Sequence, residues 1–243
     1  MAKKEFPEKQ DKQQDKQIPH GKEKSGENGG VGLSGDFSSK ISALSSKLFG
    51  IIKFILAIIL LPLVYSSVVS FIREFSLIDK SLQQIFYNGI ISFLAIYLFI
   101  WEPMIIYNKG HKLLEIMFSF FKPMVNVAPF LLPIYTIVIF MLYGLLTLGI
   151  SADWLLKYTL FLIGFSTILH LTFSAKAIRS KKGDFLKANY IFGFSFIFIL
   201  NIALLALGFS LVFEKFSFVN FCNVSFAIFR SIFVGVFKQL FLF

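Results

Sequence analysis

Residues 48–72 read LFGIIKFILAIILLPLVYSSVVSFI, an uninterrupted apolar run whose only charged residue is Lys53. A helix needs about 20 apolar residues to cross a bilayer core of roughly 30 Å. A soluble helix would instead confine such residues to one stripe. Lys53 lies near the start of the run, where its long side chain can reach the lipid headgroups. The stretch therefore predicts a membrane-spanning helix.

Further apolar stretches follow the first. The chain of 243 residues is 56% hydrophobic, with a mean hydropathy of +0.73, and these values exclude an ordinary soluble domain. Trp101 and Tyr107 are expected to anchor the inner end of the second span. Pro129 and Pro133 should kink the first half of the third, since each removes a backbone hydrogen bond. The predicted spans are 48–72, 85–107, 124–150, 154–177 and 186–213.

The chain before the first span divides into two parts. Residues 1–36 are polar and charged, with too few apolar residues to offset the entropy of ordering. We expect them to form a disordered basic cytoplasmic tail. Apolar residues then recur at helical spacing from Phe37 to Leu48, so 37–47 is predicted as a juxtamembrane amphipathic helix. A polar linker with chance periodicity is the alternative. The polytopic transmembrane bundle would occupy 48–243.

A second interfacial helix is predicted between the second and third spans. In residues 111–122 the polar side chains form one stripe on an otherwise apolar helix. Such a helix suits the boundary between headgroups and acyl chains.

The distribution of charge predicts the orientation. The net charge is +10, but acidic residues interleave with the lysines of the tail, so the excess does not indicate a nucleic-acid partner. Lys and Arg are concentrated on the tail side of the predicted spans, and the side richer in them is the cytoplasmic one. We therefore expect a multi-pass protein of the bacterial cytoplasmic (inner) membrane with a cytoplasmic N-terminus.

The last segment, residues 216–243, has two interpretations. Its polar and small residues recur every three or four positions and form one stripe. It is either a sixth span whose stripe packs against the bundle or a partner, or a helix lying flat on the far surface. We favour six spans, because a flat helix would leave Arg230 and Lys238 outside, against the charge bias. The predicted fold class is an all-α integral membrane protein, a bundle of five to six transmembrane helices with interfacial amphipathic helices and a disordered N-terminal tail.

The sequence motifs do not support catalysis. The chain has no HExxH, no CxxC and no Gly-rich phosphate loop with a lysine. Its single cysteine, Cys222, excludes an intramolecular disulfide. The acids outside the tail fall in loops or at span ends, whereas ion-coupled carriers place carboxylates within the bundle. We therefore predict no catalytic residues, no cofactor and no metal site, and a protein that is not an enzyme.

Three polar residues within the predicted spans are the candidate functional positions, namely His170, Asn201 and Arg230. A polar group in lipid is costly unless it finds a partner. We expect His170 and Asn201 to hydrogen-bond to neighbouring helices, with a direct functional role for His170 as the alternative. In a sixth span, Arg230 would need a counter-ion on another chain, a polar cavity or a lipid phosphate. In a flat helix it would face water.

The stretch from Ile168 to Leu200 is a span that ends in the basic loop KKGDFLKANY and re-enters as an aromatic span. It resembles the multi-span membrane proteins of the Yip type, whose cytoplasmic tail followed by five spans is also similar. The resemblance implies a helical membrane bundle, and no function is taken from it.

These observations lead to an expectation for function. We expect a non-enzymatic membrane protein that acts as a scaffold or accessory subunit of a membrane-embedded assembly. The alternative is a small carrier or channel for a solute or lipid. The expected partners are the lipid bilayer and either another membrane protein or further copies of this chain.

Overall fold

The structure is a computed structural model that describes residues 32–125, 127–149, 153–180 and 190–241, and these residues contain no β-strand. The predicted fold class, an all-α membrane bundle, is confirmed. A π-helical turn, Ile96–Ile100, continues the second helix. The α-helices in chain order are α1 Gly32–Phe75, α2 Lys80–Ala95, α3 Met104–Met117, α4 Lys122–Val125, α5 Ala128–Leu131, α6 Ile134–Leu146, α7 Asp153–Ser180, α8 Tyr190–Val212 and α9 Phe218–Phe241.

Five helices in the described ranges are long and apolar enough to cross a membrane. The last segment of the chain supplies one of them, and the third predicted span does not. That span is reduced to a shorter apolar helix, Ile134–Leu146. The five are Leu48–Phe75, Lys80–Ile100, Asp153–Arg179, Tyr190–Val212 and Phe218–Leu240.

The first helix is longer than the first span. It begins at Gly32, inside the predicted tail, whose residues 1–31 lie outside the described part of the chain. It then runs without a break through the predicted amphipathic segment, 37–47, into the span. The chain divides along this helix into two compact units, Met1–Leu44 and Ser45–Phe243. All tertiary contacts described below lie within the second unit.

The second span ends earlier than predicted. Its helical path stops at Ile100, and Trp101 is extended, with φ −164° and ψ 145°. Tyr107, predicted as an anchor of this span, belongs to α3 instead. The physical reason is Pro103, which disfavours helical backbone in the residue before it and then starts the next helix. Pro103 also accounts for the early start of α3, which covers Met104–Met117 rather than the predicted 111–122.

The third predicted span, 124–150, is broken rather than kinked. Two four-residue helices, α4 and α5, precede α6, and the chain between α5 and α6 is not helical. Leu132 is extended, with φ −99° and ψ 121°, as the residue before a proline prefers. Pro133 then begins a new helix, because a proline ring cannot continue the old one. The prediction of a single kinked helix underestimated the effect of two prolines four residues apart.

Helix α7 is the centre of the bundle, and α2 packs along it in the same direction. The rings of Phe93 and Phe165 are 5.3 Å apart, and further along both helices those of Tyr97 and Phe173 are 5.9 Å apart. Residue numbers increase in the same direction along the two helices, so α2 and α7 are parallel.

Helix α6 runs the opposite way along α7. Thr136 Oγ1 lies 2.9 Å from Ser166 Oγ, and the earlier Phe130 carbonyl lies 3.2 Å from the later His170 Nε2. Because α2 and α7 are parallel spans, the chain between them must cross the membrane once in return. Helix α6 is about 20 Å long and needs the α5 segment to complete that crossing. The third crossing is therefore a broken helix.

Aromatic side chains fill one end of the bundle. Phe75 lies 5.1 Å from Phe86 and 5.4 Å from Phe209, between ring centroids. Phe71 and Phe216 extend the cluster at 5.7 Å. Offset and edge-to-face rings of this kind add to the packing energy. We call this the Glu74 end, after the residue preceding Phe75, and the opposite end, where α2 and α7 finish, the Glu102 end.

Two glycines bring α2 and α7 into backbone contact. A Cβ atom on Gly89 would lie 2.1 Å from the carbonyl oxygen of Phe161. One on Gly164 would lie 2.2 Å from the carbonyl oxygen of Phe86. Small residues at a membrane helix interface allow this close approach, which is the main source of attraction where lipid and side chains are equally apolar.

Helix α9 returns alongside α1. Ser70 of α1 donates a hydrogen bond to the Phe221 carbonyl at 2.7 Å, and the backbone N–H of Ser217 donates to Glu74 at 3.2 Å. The later residue of α1 therefore contacts the earlier residue near the start of α9, so the two helices are antiparallel. This direction favours the sixth-span interpretation of the last segment over a helix lying flat.

Candidate functional site

The structure brings two of the three candidate residues together and leaves the third apart. His170 of α7 and Asn201 of α8 both reach the C-terminal end of α5. Arg230 of α9 lies on an exposed face elsewhere in the bundle. The candidate site is therefore the break in the third span and the side chains that hold it.

The break leaves backbone carbonyls without their helical partners. Pro133 has no N–H, and the Ile134 N–H bonds to the Leu132 carbonyl rather than to that of Phe130. A buried carbonyl with no partner costs several kcal/mol in an environment without water. Phe130 is 3% exposed, so its carbonyl must find a donor inside the protein.

His170 and Asn201 supply those donors. His170 Nε2 lies 3.2 Å from the Phe130 carbonyl, and because a carbonyl only accepts, this nitrogen carries the proton. Asn201 Nδ2 donates to the Leu131 carbonyl at 3.1 Å and to the Ile197 carbonyl of its own helix at 2.8 Å. Both side chains are buried, at 5% and 1% exposure. Their hydrogen bonds hold α5 against α7 and α8.

A chain of polar side chains continues from His170 toward the Glu102 end. Ser174 Oγ lies 3.3 Å from His170 Nε2 and 3.3 Å from the Tyr107 hydroxyl. Burial raises the pKa of Tyr107 to about 12, and the hydrogen bond with Ser174 only partly opposes this effect. The phenol is therefore neutral at physiological pH and acts as a hydrogen-bonding group.

Three hydroxyls form a second polar contact between α6 and α7. Thr136 Oγ1 lies 2.9 Å from Ser166 Oγ and 3.3 Å from Thr167 Oγ1, and all three side chains are buried. Hydroxyl pairs of this kind hold membrane helices together. They secure α6 just beyond the break.

A cavity of about 260 Å³ opens beside this site at the Glu102 end. Charged side chains around it are already paired, Lys176 with Glu102 and His111 with Glu115 at 3.2 Å. Both of these side chains therefore already have a carboxylate partner within the protein. The lining residues are Met104, Tyr107, Asn108, His111, Phe130, Phe173, Lys176 and Ala177.

Sequence reasoning missed the structural role of Glu74. It was placed at the end of a span, where it does lie, but it is only 1% exposed. Its carboxylate accepts hydrogen bonds from the Ser217 backbone N–H and from the Asn220 side chain, at the start of α9. A negative charge is favourable at a helix N-terminus. No pattern in the sequence pairs residues this far apart, so only the fold could reveal the contact.

Arg230 makes no ion pair or hydrogen bond within the described ranges. The side of α9 that packs on the bundle carries Phe221 and Ser225, which are 4% and 6% exposed. Arg230 is two and a half helical turns beyond Phe221 and so points the opposite way, away from the bundle. Beyond Asn220, which bonds to Glu74, the polar stripe predicted on this helix therefore does not pack against the bundle.

Neither metal-ligating side chains in the described residues nor similarity to known proteins indicates a function for this chain. Within the residues that the structure describes, no group of three or more His, Cys, Asp or Glu side chains is placed to hold a metal ion. The chain matches no protein-family model, no curated protein and no solved structure.

Proposed function

We propose that the chain is a non-enzymatic multi-pass membrane protein that serves as a scaffold or accessory subunit of a membrane-embedded assembly. The observation that carries this proposal is a contrast between its helices. The most apolar windows of α1 and α9 are each 11% buried inside the bundle, the lowest share of the five candidate spans, whereas that of α7 is 56% buried. Helices that give so little surface to their own bundle leave most of it for other molecules in the bilayer.

The buried polar groups support the same proposal. His170, Asn201, Ser166 and Thr167 all bond to the broken third span. Polar side chains used in this way fix the shape of the bundle. A rigid core with uncovered outer helices suits a protein whose task is to hold partners.

We place the bundle in the bacterial cytoplasmic (inner) membrane with its N-terminus in the cytoplasm. The proposal rests on the charge at the two ends, since the cytoplasmic side is the one richer in Lys and Arg. The described basic residues of the Glu102 end include Lys109, Lys112, Lys122, Lys176, Arg179 and Lys238, and those of the Glu74 end are Arg73, Lys80, Lys157 and Lys215.

Copurification tests the proposal. The full chain, tagged and expressed in the cells that encode it, is extracted in a mild nonionic detergent, and recovered proteins are quantified by mass spectrometry. We expect to recover a membrane protein in stoichiometric amount with the chain. Its recovery should fall at least fivefold when a larger side chain is introduced on the exposed face of α1, as in Ile51→Trp or Ile55→Trp. Leu211→Trp on α8 is the control, because Leu211 is 81% exposed. Isolation as a lone, monodisperse protein with transport activity would overturn the proposal.

The broken third span favours a second candidate, a small carrier or channel for a solute or lipid. In transporters, interrupted helices with free backbone carbonyls form the substrate site. The purified chain in phosphatidylcholine vesicles would then move a fluorescent phospholipid or potassium ions, and His170→Ala would abolish the movement. Vesicles that show neither activity argue against this candidate.

A further inference from the structure

Arg230 lies deep in the membrane part of the protein. Helix α9 begins at Phe218, beside Glu74 at the end of the bundle, and Arg230 is about 18 Å along its axis at a rise of about 1.5 Å per residue. The hydrocarbon core is roughly 30 Å thick, so this position is close to its middle. Lys238, near the other end of α9, is about 12 Å further along. A single arginine side chain does not bridge that distance to the headgroups.

The face of α9 around Arg230 is exposed. Phe226 and Phe233 are four and three residues from Arg230 and therefore share its face of the helix. They are 65% and 38% exposed. We call these three residues the Arg230 face. It consists of a positive charge between two aromatic side chains that the described residues leave exposed.

Within the described part of the second unit, no carboxylate lies at the depth of Arg230, because each acidic residue there lies at an end of a candidate span or between spans. A second copy would have the same orientation in the membrane and these acids at the same depths. The described residues of a second copy therefore supply no counter-ion either. The acids concerned are Glu74, Asp79, Glu102, Glu115, Asp153 and Glu214.

We propose that the Arg230 face of α9 is the docking surface for a transmembrane helix of a different protein that carries an aspartate or glutamate near its middle. An unpaired guanidinium in hydrocarbon is costly, and a carboxylate at the same depth removes the cost while forming two parallel hydrogen bonds. The phenylalanines on either side exclude lipid and water from the pair. This inference rests on the proposed function and names the chemistry of the partner.

Site-directed photo-crosslinking tests the inference in intact cells that encode the chain. Benzoylphenylalanine replaces Phe233 in the full-length protein, and replaces Phe99 in the π-helical turn after α2, which is 85% exposed, as a matched control. We expect one discrete adduct with another membrane protein from position 233 and none of that size from position 99. Arg230→Ala should reduce this adduct at least tenfold. Arg230→Lys should retain most of it, and so should Lys238→Ala, which removes a charge at the end of the helix.

A charge exchange identifies the contact. We expect a carboxylate in the cross-linked helix whose replacement by arginine abolishes the adduct and, combined with Arg230→Glu, restores it. Adducts with phospholipid alone, adducts only with a second copy, no adduct, or an adduct unchanged by Arg230→Ala would each overturn the inference. If a partner still copurifies and cross-links through α1, only the inference fails. If no partner copurifies at all, the proposed function fails with it.

Discussion

His170 Nε2 on α7 lies 3.2 Å from the carbonyl oxygen of Phe130 on α5, and this contact holds one side of the broken third span. Asn201 holds the other side through the carbonyl of Leu131. Two prolines interrupt the backbone hydrogen bonds of this span in a region without water. Two side chains from neighbouring helices bond to the carbonyls near the interruption. The break in the third span and these two polar residues therefore depend on each other.

Removing either of these side chains should destabilise the bundle. We expect His170→Ala and Asn201→Leu each to lower the free energy of unfolding by about 1–3 kcal/mol, because each leaves a buried carbonyl without a donor. Thermal unfolding of the purified protein in detergent measures the loss. Ser210→Ala is the control, since Ser210 bonds only within its own helix at an exposed position. Equal stability of His170→Ala and Ser210→Ala would contradict this account of the break.

Alanine at the two contact glycines should separate α2 from α7. Gly89→Ala and Gly164→Ala place a methyl group against backbone atoms that cannot move aside, and we expect each to cost about 1–3 kcal/mol. Gly144→Ala is the matched control, because nothing lies within 4 Å of a Cβ atom built there. The same thermal assay applies. If all three variants unfold at the same temperature, the close approach of α2 and α7 is not needed for stability.

Glu74 should be required to hold α9 against α1. A hydrogen bond to a charged group contributes about 1.5–3 kcal/mol, and Glu74→Ala removes two of them while leaving their donors unpaired. We expect a large fall in the unfolding temperature for Glu74→Ala and a smaller one for Glu74→Gln, whose amide oxygen still accepts. Asp79→Asn, at a side chain that is 73% exposed, should have little effect. An Asp79 variant as unstable as Glu74→Ala would point to net charge as the cause.

Labelling should locate the two ends of the bundle. Lys215 is 71% exposed at the Glu74 end, so in a Cys222→Ser background a membrane-impermeant maleimide added to intact cells should modify Lys215→Cys. In a Cys222→Ser background, Lys109→Cys at the Glu102 end should react only after the cells are opened. The reverse pattern would place the N-terminus outside. A tag after Phe243 should be reached only from the cytoplasm, and a tag reached from outside would mean that α9 does not cross.

Sequence and structure differ most where prolines occur. The apolar length of residues 124–150 predicts a full span with a kink, but Pro133 ends one helix and begins another. The pattern of hydrophobic residues reports which segments prefer lipid and does not report whether the backbone within them stays hydrogen-bonded. Pro103 shortens the second span for the same reason. The hydrogen-bonding roles of His170 and Asn201 follow from chemistry, whereas their common target at α5 depends on how three helices assemble.

The stretch 48–72 and its later counterparts determine by themselves that this is a helical membrane protein, because burial in lipid depends on the length and polarity of a segment alone. Charge along the chain likewise predicts its orientation. Only the tertiary structure places Glu74 against Asn220, turns Arg230 away from the bundle and brings two polar residues to one broken helix. Each of these depends on which helix faces rotate toward one another, and that rotation is set by contacts between segments far apart in the chain.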